Sequence, residues 1–450
     1  MRHGQIAALL LLLPVAATAA PTEQASAPLK VTIQQWQLKN GLKVVFSPHH
    51  RVPAVTVQLW YHAGSKNEHV GIRGIAHMFE HMMFKGSEHV PPEEHARLLS
   101  AIGGDTNAFT AEDMTAYHDT VPKQYMDFAM KLEAERMRNL RLTLHTIKSE
   151  REVVKEEKRM RMENNPIGRA LEAIYALAYT KHPYAWTPAG TIADLDRVTR
   201  EDCQRFYDTY YVPNNATLIV VGDVSRKEVE QAAERNFGAI PRGAAPPQVT
   251  VREPPQTKTR VKTADWPSQL KVVLGAYHIP EATNKDIAPL QVLSAILSAG
   301  QSSRLNQALV RKGKLAVAAG GFVSLQEDPG VMMVYGIGLP SHDLTKMKDA
   351  LLEQIALVAE KGVTRRELNK ARNQLSTSRL SKINTLTGVA YQIGTSALLQ
   401  HDPSAFLRDV AEIDAVTAAD VQRVARTYLV PTNLSLVLVD STPGRAGGVP

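Results

Sequence analysis

Between Gly74 and Met83 the chain reads Gly-Ile-Ala-His-Met-Phe-Glu-His-Met-Met, which contains His77-x-x-Glu80-His81. On a helix, His77 and His81 are one i,i+4 step apart, so both imidazoles fall on one face and can share a metal ion. Glu80 lies beside them and can reach a water on that metal. Zinc lowers the pKa of such a water towards ~7, and a carboxylate can then take its proton. Met78, Phe79, Met82 and Met83 anchor the rest of the helix in apolar surroundings. Catalytic zinc keeps three protein ligands and one open position, so a third ligand is needed. The acidic stretch Ser149–Lys158 offers candidates. Glu150 and Glu157 are two helical turns apart on one face, which neighbours Val153 and Val154 and so looks inward. Glu152 and Glu156 fall on the more polar side. Glu157 is thus the better ligand and Glu150 a supporting carboxylate, the competing reading being a solvated charged face.

The elements that must position these residues follow from patterning. Val31–Leu38 and Leu42–Ser47 flank Asn40-Gly41, a hairpin signal of the type I′ kind. Ala54–His62 alternates as a third strand. Helical patterns cover about 72–85, 92–102, 123–138, 144–163 and 167–179, with short strands near 106–110 and 115–121 between them. Strands in runs and helices in runs argue α+β rather than a doubly wound fold.

The chain also repeats itself. Residues 192–221 align with residues 410–439 at an offset of 218 without a gap. Identical pairs include Asp196/Asp414, Thr199/Thr417, Asp202/Asp420, Arg205/Arg423, Tyr210/Tyr428, Pro213/Pro431 and Asn215/Asn433. In each copy a threonine is placed to cap an amphipathic helix, Tyr-x-Val-Pro-x-Asn ends it, and a β-branched strand follows. The expected architecture is two homologous α+β domains arising by duplication, each an antiparallel-rich sheet with helices packed on it. They are placed at 31–242 and 259–442, joined by a Pro-rich linker over 243–258 and followed by a flexible tail over 443–450.

Composition bounds the compartment and the partners. The chain has 450 residues, 44% hydrophobic and 22% charged, which excludes a disordered or multi-span membrane protein. A net charge of +7 without a basic stripe gives no support for nucleic-acid binding. Arg2 and His3, the apolar run Ile6–Leu13 and the small residues ending at Ala20 read as a signal peptide over residues 1–19. The run is too short to span a bilayer, so an exported protein without a stable membrane anchor is expected, most simply periplasmic. The single cysteine, Cys203, allows no internal disulfide and is expected in the core. His89 and His95 flank a Pro91-Pro92 helix start and are expected at the surface. His278 and His401 lack ligand spacing, and no second metal site is expected.

The motif His77-x-x-Glu80-His81 and the downstream Glu150…Glu157 pair resemble the inverzincins: pitrilysin, insulin-degrading enzyme and mitochondrial processing peptidase. Glu157 follows His81 by 76 residues, which is similar to the spacing of that family's third ligand. Gly103–Thr110, His182-Pro183-Tyr184 and Tyr211–Asn215 are similar to family segments as well. The resemblance spans about residues 31–440. It implies one zinc per chain on His77, His81 and Glu157, with Glu80 as general base and Glu150 orienting a ligand. It also implies that Asn107, Ala108, Phe109 and Thr110 form an edge strand that binds peptide by strand addition. The activity implied is a zinc endopeptidase acting on peptides or unfolded segments. The alternatives are a non-catalytic peptide-binding or assembly subunit of the same family, or a metal carrier.

Two departures stand out. Aligning the second half puts Gln291, Ser294 and Ala295 opposite His77, Glu80 and His81, and Gln374 opposite Glu157. Self-sufficient members of the family carry an Arg and a Tyr after a Ser-Arg-Leu segment, which help stabilise the tetrahedral intermediate. Here Ser303-Arg304-Leu305 is followed by Val310 and Val317 at those two positions. A companion chain supplying Arg and Tyr in a heterodimer is the expected remedy, with a homodimer as the alternative.

Overall fold

Why the duplicated sequence makes two similar sheets is visible at the Tyr-x-Val-Pro-x-Asn segments. Asn215 donates to the carbonyls of Tyr210 (2.8 Å) and His62 (3.2 Å). Its repeat partner Asn433 donates to Tyr428 (2.8 Å) and His278 (2.9 Å). Each asparagine thereby closes the end of a helix and fixes the start of the next strand against an older one. The preceding helices begin as expected: Thr199 and Thr417 accept the amides of Asp202 and Asp420, completing capping boxes.

The computed structural model describes residues 31–264 and 266–441. The expected leader over 1–19 and tail over 443–450 lie outside them. The first half runs β1 (Gln34–Gln37), β2 (Lys43–Pro48), β3 (Ala54–Tyr61), α1 (Ile75–Met82), α2 (Glu94–Ala101), β4 (Asp105–Thr110), β5 (Thr115–Pro122), α3 (Met126–Asn139), α4 (Leu144–Lys158), α5 (Pro166–Ala178), α6 (Ile192–Leu195), α7 (Arg200–Tyr210), β6 (Ala216–Gly222) and α8 (Arg226–Phe237). The second runs β7 (Arg260–Thr263), β8 (Lys271–His278), α9 (Ile287–Ser298), β9 (Ala318–Ser324), β10 (Val331–Gly338), α10 (Leu344–Lys361), α11 (Arg365–Lys382), α12 (Leu386–Leu399), α13 (Asp409–Ala415), α14 (Ala418–Tyr428) and β11 (Leu434–Val439).

The first sheet has the order β1-β2-β6-β3-β5-β4 and the second β7-β11-β8-β10-β9. Apart from β1 the two orders correspond strand for strand. Each sheet is antiparallel except for one pair, β2 with β6 and β7 with β11. This is the expected α+β class, built twice.

The hairpin at Asn40-Gly41 differs from the type I′ expectation. The loop has three residues: Gly41 N–H donates to Leu38 O and Leu38 N–H to Leu42 O, both at 2.9 Å. Gly41 takes the left-handed φ of 95°, whereas Asn40 is not among the positive-φ residues. The reason is tertiary. Asn40 turns inward and donates to the carbonyls of Phe237 (2.8 Å) and Ile240 (2.9 Å) at the end of α8, so it is not free to adopt the mirror-image turn.

The halves interlock by exchanging a helix. One face of the first sheet is covered by its own helices, with Leu59, Tyr61, Ile75, Met78, Phe79 and Leu218 fully buried between them. Its other face receives α12 from the second half, which packs on β3 and β6. In return α5 crosses to the second sheet, where Ala170, Ile174 and Tyr175 pack with Leu274, Met333 and Val437. Burying each large apolar side chain contributes ~1.5–3 kcal/mol, so both exchanged helices stabilise the pair of halves as one body. Gly394 on α12 is where this contact is closest: a Cβ there would lie 2.2 Å from Trp60 Cε2. Gly394→Ala is therefore expected to destabilise the fold by ~1–3 kcal/mol through overpacking, read as a lowered midpoint in urea; an unchanged midpoint would show that α12 can shift freely.

A polar cluster reinforces the same seam. The buried Lys66 ammonium sits 2.7 Å from Asp113 and also pairs with Glu327 of the β9–β10 connection, while His62 lies 2.7 Å from Glu327. Tyr184 donates to Asp113 at 2.6 Å. Although burial opposes it, the His62 and Lys66 contacts hold the Glu327 carboxyl down at about 2.

Candidate metal centre

Helix α1 carries the His77 motif, and its start is set from outside the helix. Gly74 precedes it with a left-handed φ of 98° and no side-chain cap. The buried carboxylate of Glu68 instead accepts the amides of Gly74 and Ala76, both at 2.9 Å. Burial pushes Glu68 up to about 8, against the pull of these two bonds. A cap six to eight residues upstream has no local sequence signature, and sequence reasoning missed it. Helix α4, which carries the acidic pair, starts at a Thr143 capping box and packs along α1. Beyond Lys158 the chain widens into a π turn over Arg159–Glu163.

The packing of α4 on α1 brings His77, His81 and Glu157 together. His77 Nε2 is 3.8 Å from Glu157 Oε1, and His81 Nε2 is 3.3 Å from Glu157 Oε2. Two donors held ~2.1 Å from a tetrahedral ion stand ~3.4 Å apart, so these separations suit ligands of a common metal. The donor set, two imidazole nitrogens and a carboxylate oxygen, matches a catalytic zinc site. The three side chains are 14%, 22% and 20% exposed, which leaves one side of the cluster open to solvent. Burial, with His81 beside it, lowers His77 to about 4, the neutral form that a metal requires. Burial also pulls His81 down, but the carboxylates of Glu150, Glu157 and Glu80 lift it overall. Arg161, on the π turn, lies 2.6 Å from Glu157 Oε1 from an exposed position.

Glu80 stands beside this cluster. Burial raises its carboxyl, moderated by the Thr110 hydroxyl, which donates to Oε2 at 2.7 Å. Glu150 is buried beneath His81. Its Oε2 lies 3.6 Å from His81 Nδ1 and its Oε1 lies 3.2 Å from Lys85 Nζ. Val154 packs inward with it, as expected, but Val153 points to solvent, 47% exposed, because the inward stripe of α4 is narrower than the periodicity suggested. Glu150→Ala is expected to weaken metal affinity ~10–100-fold by freeing the His81 ring, measured by competition with a chromophoric chelator; unchanged affinity would remove Glu150 from the site.

Asn107, Ala108, Phe109 and Thr110 lie on β4, the outermost strand of the first sheet, in register with His118, Tyr117, Ala116 and Thr115 of β5. Among the described residues no strand pairs with the far edge of β4, and Asn107 Oδ1 accepts the Ala108 amide at 2.8 Å. Phe109 packs with Trp60 and with Tyr391 of α12, ring centroids 5.3 and 5.4 Å apart. Thr110, at the inner end of β4, couples this strand to Glu80.

The second half places Gln291 on α9, the counterpart of α1. There Arg379 donates to Gln291 Oε1 at 3.1 Å and pairs with Asp409 at 3.2 Å. A fixed guanidinium thus stands beside the residue that aligns with His77. Val310 lies in a second π turn, Asn306–Arg311, and Val317 is 49% exposed. Arg304 is committed to Glu367 and to the Gly362 carbonyl, and Arg311 to Gln301.

His95 corrects the sequence reading: it is buried, 4% exposed, not at the surface. It sits on the inward face of α2, edge-on to Phe84. Cys203 is buried as expected.

Among known families, the description "Insulinase (Peptidase family M16)" matches residues 43–191 and "Peptidase M16 inactive domain" matches residues 197–375. The chain is 31% identical to the zinc protease PqqE of Helicobacter pylori over 407 residues, covering 89% of this chain and 91% of that protein. It is 26% identical to a probable mitochondrial-processing peptidase subunit beta of Arabidopsis thaliana, covering 89% of this chain and 76% of that protein. A crystal structure of a protease from Helicobacter pylori superposes with a TM-score of 0.87 at 30% identity, covering 91% of this chain and 99% of that one. With the two corresponding sheets and the convergence of His77, His81 and Glu157, these likenesses have one reading: the chain belongs to the M16, or insulinase, family of zinc proteases.

Proposed function

We propose that this chain is a zinc-dependent endopeptidase that hydrolyses peptides or unfolded polypeptide segments, and that a companion chain completes its catalytic machinery. The convergence of His77, His81 and Glu157 beside Glu80 carries the reading. One catalytic zinc would be held there, since the second half presents Gln291, Ser294, Ala295 and Gln374 instead. When bound, zinc supplies a Lewis acid and lowers the pKa of a coordinated water.

The protein groups do the rest. A substrate strand adds to the free edge of β4 along Asn107–Thr110, so main-chain hydrogen bonds hold the peptide extended with little demand on its sequence. To accept it, Asn107 releases the Ala108 amide. Thr110 occupies Glu80 Oε2, which leaves Oε1 to take the proton of the attacking water and hand it to the leaving amine. Burial raises the Glu80 carboxyl, which makes it a stronger base than an ordinary carboxylate. Glu150 keeps the His81 ring oriented. The tetrahedral intermediate then needs donors that Val310 and Val317 do not offer, and a homologous chain carrying Arg and Tyr would supply them.

The two copies are taken as residues 31–242 and 259–442, supported by their matching strand orders. Export to the periplasm rests on the leader over residues 1–19. Among the described residues no helix is long and apolar enough to cross a membrane.

The test is cleavage of a quenched, unstructured peptide by the zinc-loaded chain together with its homologous partner. Activity should vanish on chelation and return with zinc. Zinc binding without cleavage under those conditions would favour a non-catalytic peptide-binding or assembly subunit.

A further inference from the structure

A second group of ligating side chains lies in the core beneath the edge strand, separate from the open site. His95 of α2, Asp119 of β5 and Glu133 of α3 each direct a donor atom into one small space, all within 4.8 Å of one another. Asp119 and Glu133 are fully buried and His95 nearly so. Among the described residues, neither oxygen of Asp119 nor the Nε2 of His95 has a hydrogen-bond partner. The hydroxyl of Thr106, the register partner of Asp119 on β4, is likewise buried and unpartnered. Buried polar atoms are nearly always partnered, so a cluster of unpartnered ones calls for an occupant.

Charge points the same way. Arg136 donates to Glu133 through Nε at 3.0 Å and again through Nη2. Its guanidinium also lies over the rings of Tyr117 (4.4 Å) and Phe84 (5.0 Å). Arg136 thus pairs directly with Glu133; burial raises the Asp119 carboxyl despite the pull of the Arg136 charge, and Asp119 has no direct bond to that guanidinium. A proton on His95 would be the simplest answer. However, His95 Nε2 is 3.5 Å from Asp119 Oδ1 without a hydrogen bond between them. Desolvation, with Arg136 nearby, holds His95 down at about 3, hence neutral. A neutral imidazole is the form that binds a metal. The 3.5 Å separation falls between the 3.3 and 3.8 Å separations in the His77–His81–Glu157 cluster, the spacing of two donors on one ion rather than of a donor and its acceptor.

We propose that His95, Asp119 and Glu133, with the Thr106 hydroxyl, form a second, structural site for a divalent metal ion. The donors are nitrogen and oxygen with no sulfur, which suits zinc or manganese. The site is enclosed, so it has no open position for substrate. Its ion bolts α2 and α3 to the β4–β5 pair and so stiffens the strand that carries Thr110.

The test counts metal in a chain that lacks the open site. His77→Ala/His81→Ala protein is loaded with zinc or manganese, desalted, and analysed by plasma mass spectrometry, with circular dichroism as the check on folding. About one equivalent should remain, held against a brief chelator wash, and adding Asp119→Asn should abolish it. A folded double variant that holds no metal overturns the proposal, as does metal that survives Asp119→Asn. If the double variant does not fold, the loaded wild-type chain should hold about two equivalents, falling to about one with Asp119→Asn; one equivalent in the wild type overturns the second site. The first count is made without His77 and His81, so failure here is distinct from failure of the proposed peptidase site.

Discussion

Replacing Glu80 by glutamine should lower turnover of a quenched peptide ~10²–10⁴-fold while the chain keeps its zinc. The new side chain would still accept the Thr110 hydroxyl through its amide oxygen, so the edge strand stays coupled to α1 and the geometry survives. What is lost is the ability of the second atom to carry a proton. An effect confined to the chemical step lowers kcat and kcat/KM together and leaves KM nearly constant. Folding should not suffer, because burial already disfavours the Glu80 carboxylate and an amide removes that penalty. Metal content by plasma mass spectrometry, the urea midpoint and kcat are the three readings. Turnover within tenfold of wild type, with zinc bound, would show that some other group moves the proton.

The second large effect concerns the missing donors. The zinc-loaded chain alone should cleave ~10²–10³-fold more slowly than its complex with a homologous chain that carries Arg and Tyr. Both positions are empty of donors for local reasons. Val310 is half-buried in the π turn that opens the second half's loop, and Val317 is an exposed residue just before β9. The nearby arginines cannot stand in, since Arg304 bridges Glu367 and Gly362 while Arg311 holds Gln301. Val310→Arg/Val317→Tyr in this chain should recover part of the loss in the absence of any partner. Rapid cleavage by the unmodified chain alone, abolished by Glu80→Gln, would place oxyanion stabilisation on other residues and remove the need for a companion.

Some elements were legible because their causes are local. The i,i+4 histidines fall on one face of any helix, and the capping threonines Thr199 and Thr417 bond amides only three residues away. Strands β3 and β5 were placed to within a residue by alternation and length. The duplication could be read because Asn215 and Asn433 perform the same task in each copy. Other features were hidden because their causes lie far along the chain. Asn40 looked like a turn residue, but its side chain is used by the end of α8. His95 looked like a surface residue after two prolines, but the inward face of α2 buries it beside Asp119.

By itself the amino-acid sequence determined which chemistry is available and how many times the fold is built. Residue types and short spacings decide those things, and helix and strand periods turn them directly into faces. Only the tertiary structure decided which groups meet. The packing of α4 on α1 joins Glu157 to two histidines 76 or more residues away, the edge position of β4 joins Thr110 to Glu80, and the exchange of α5 and α12 makes one body of two copies. Such contacts depend on how buried surfaces fit at long separation, and no local pattern encodes that fit.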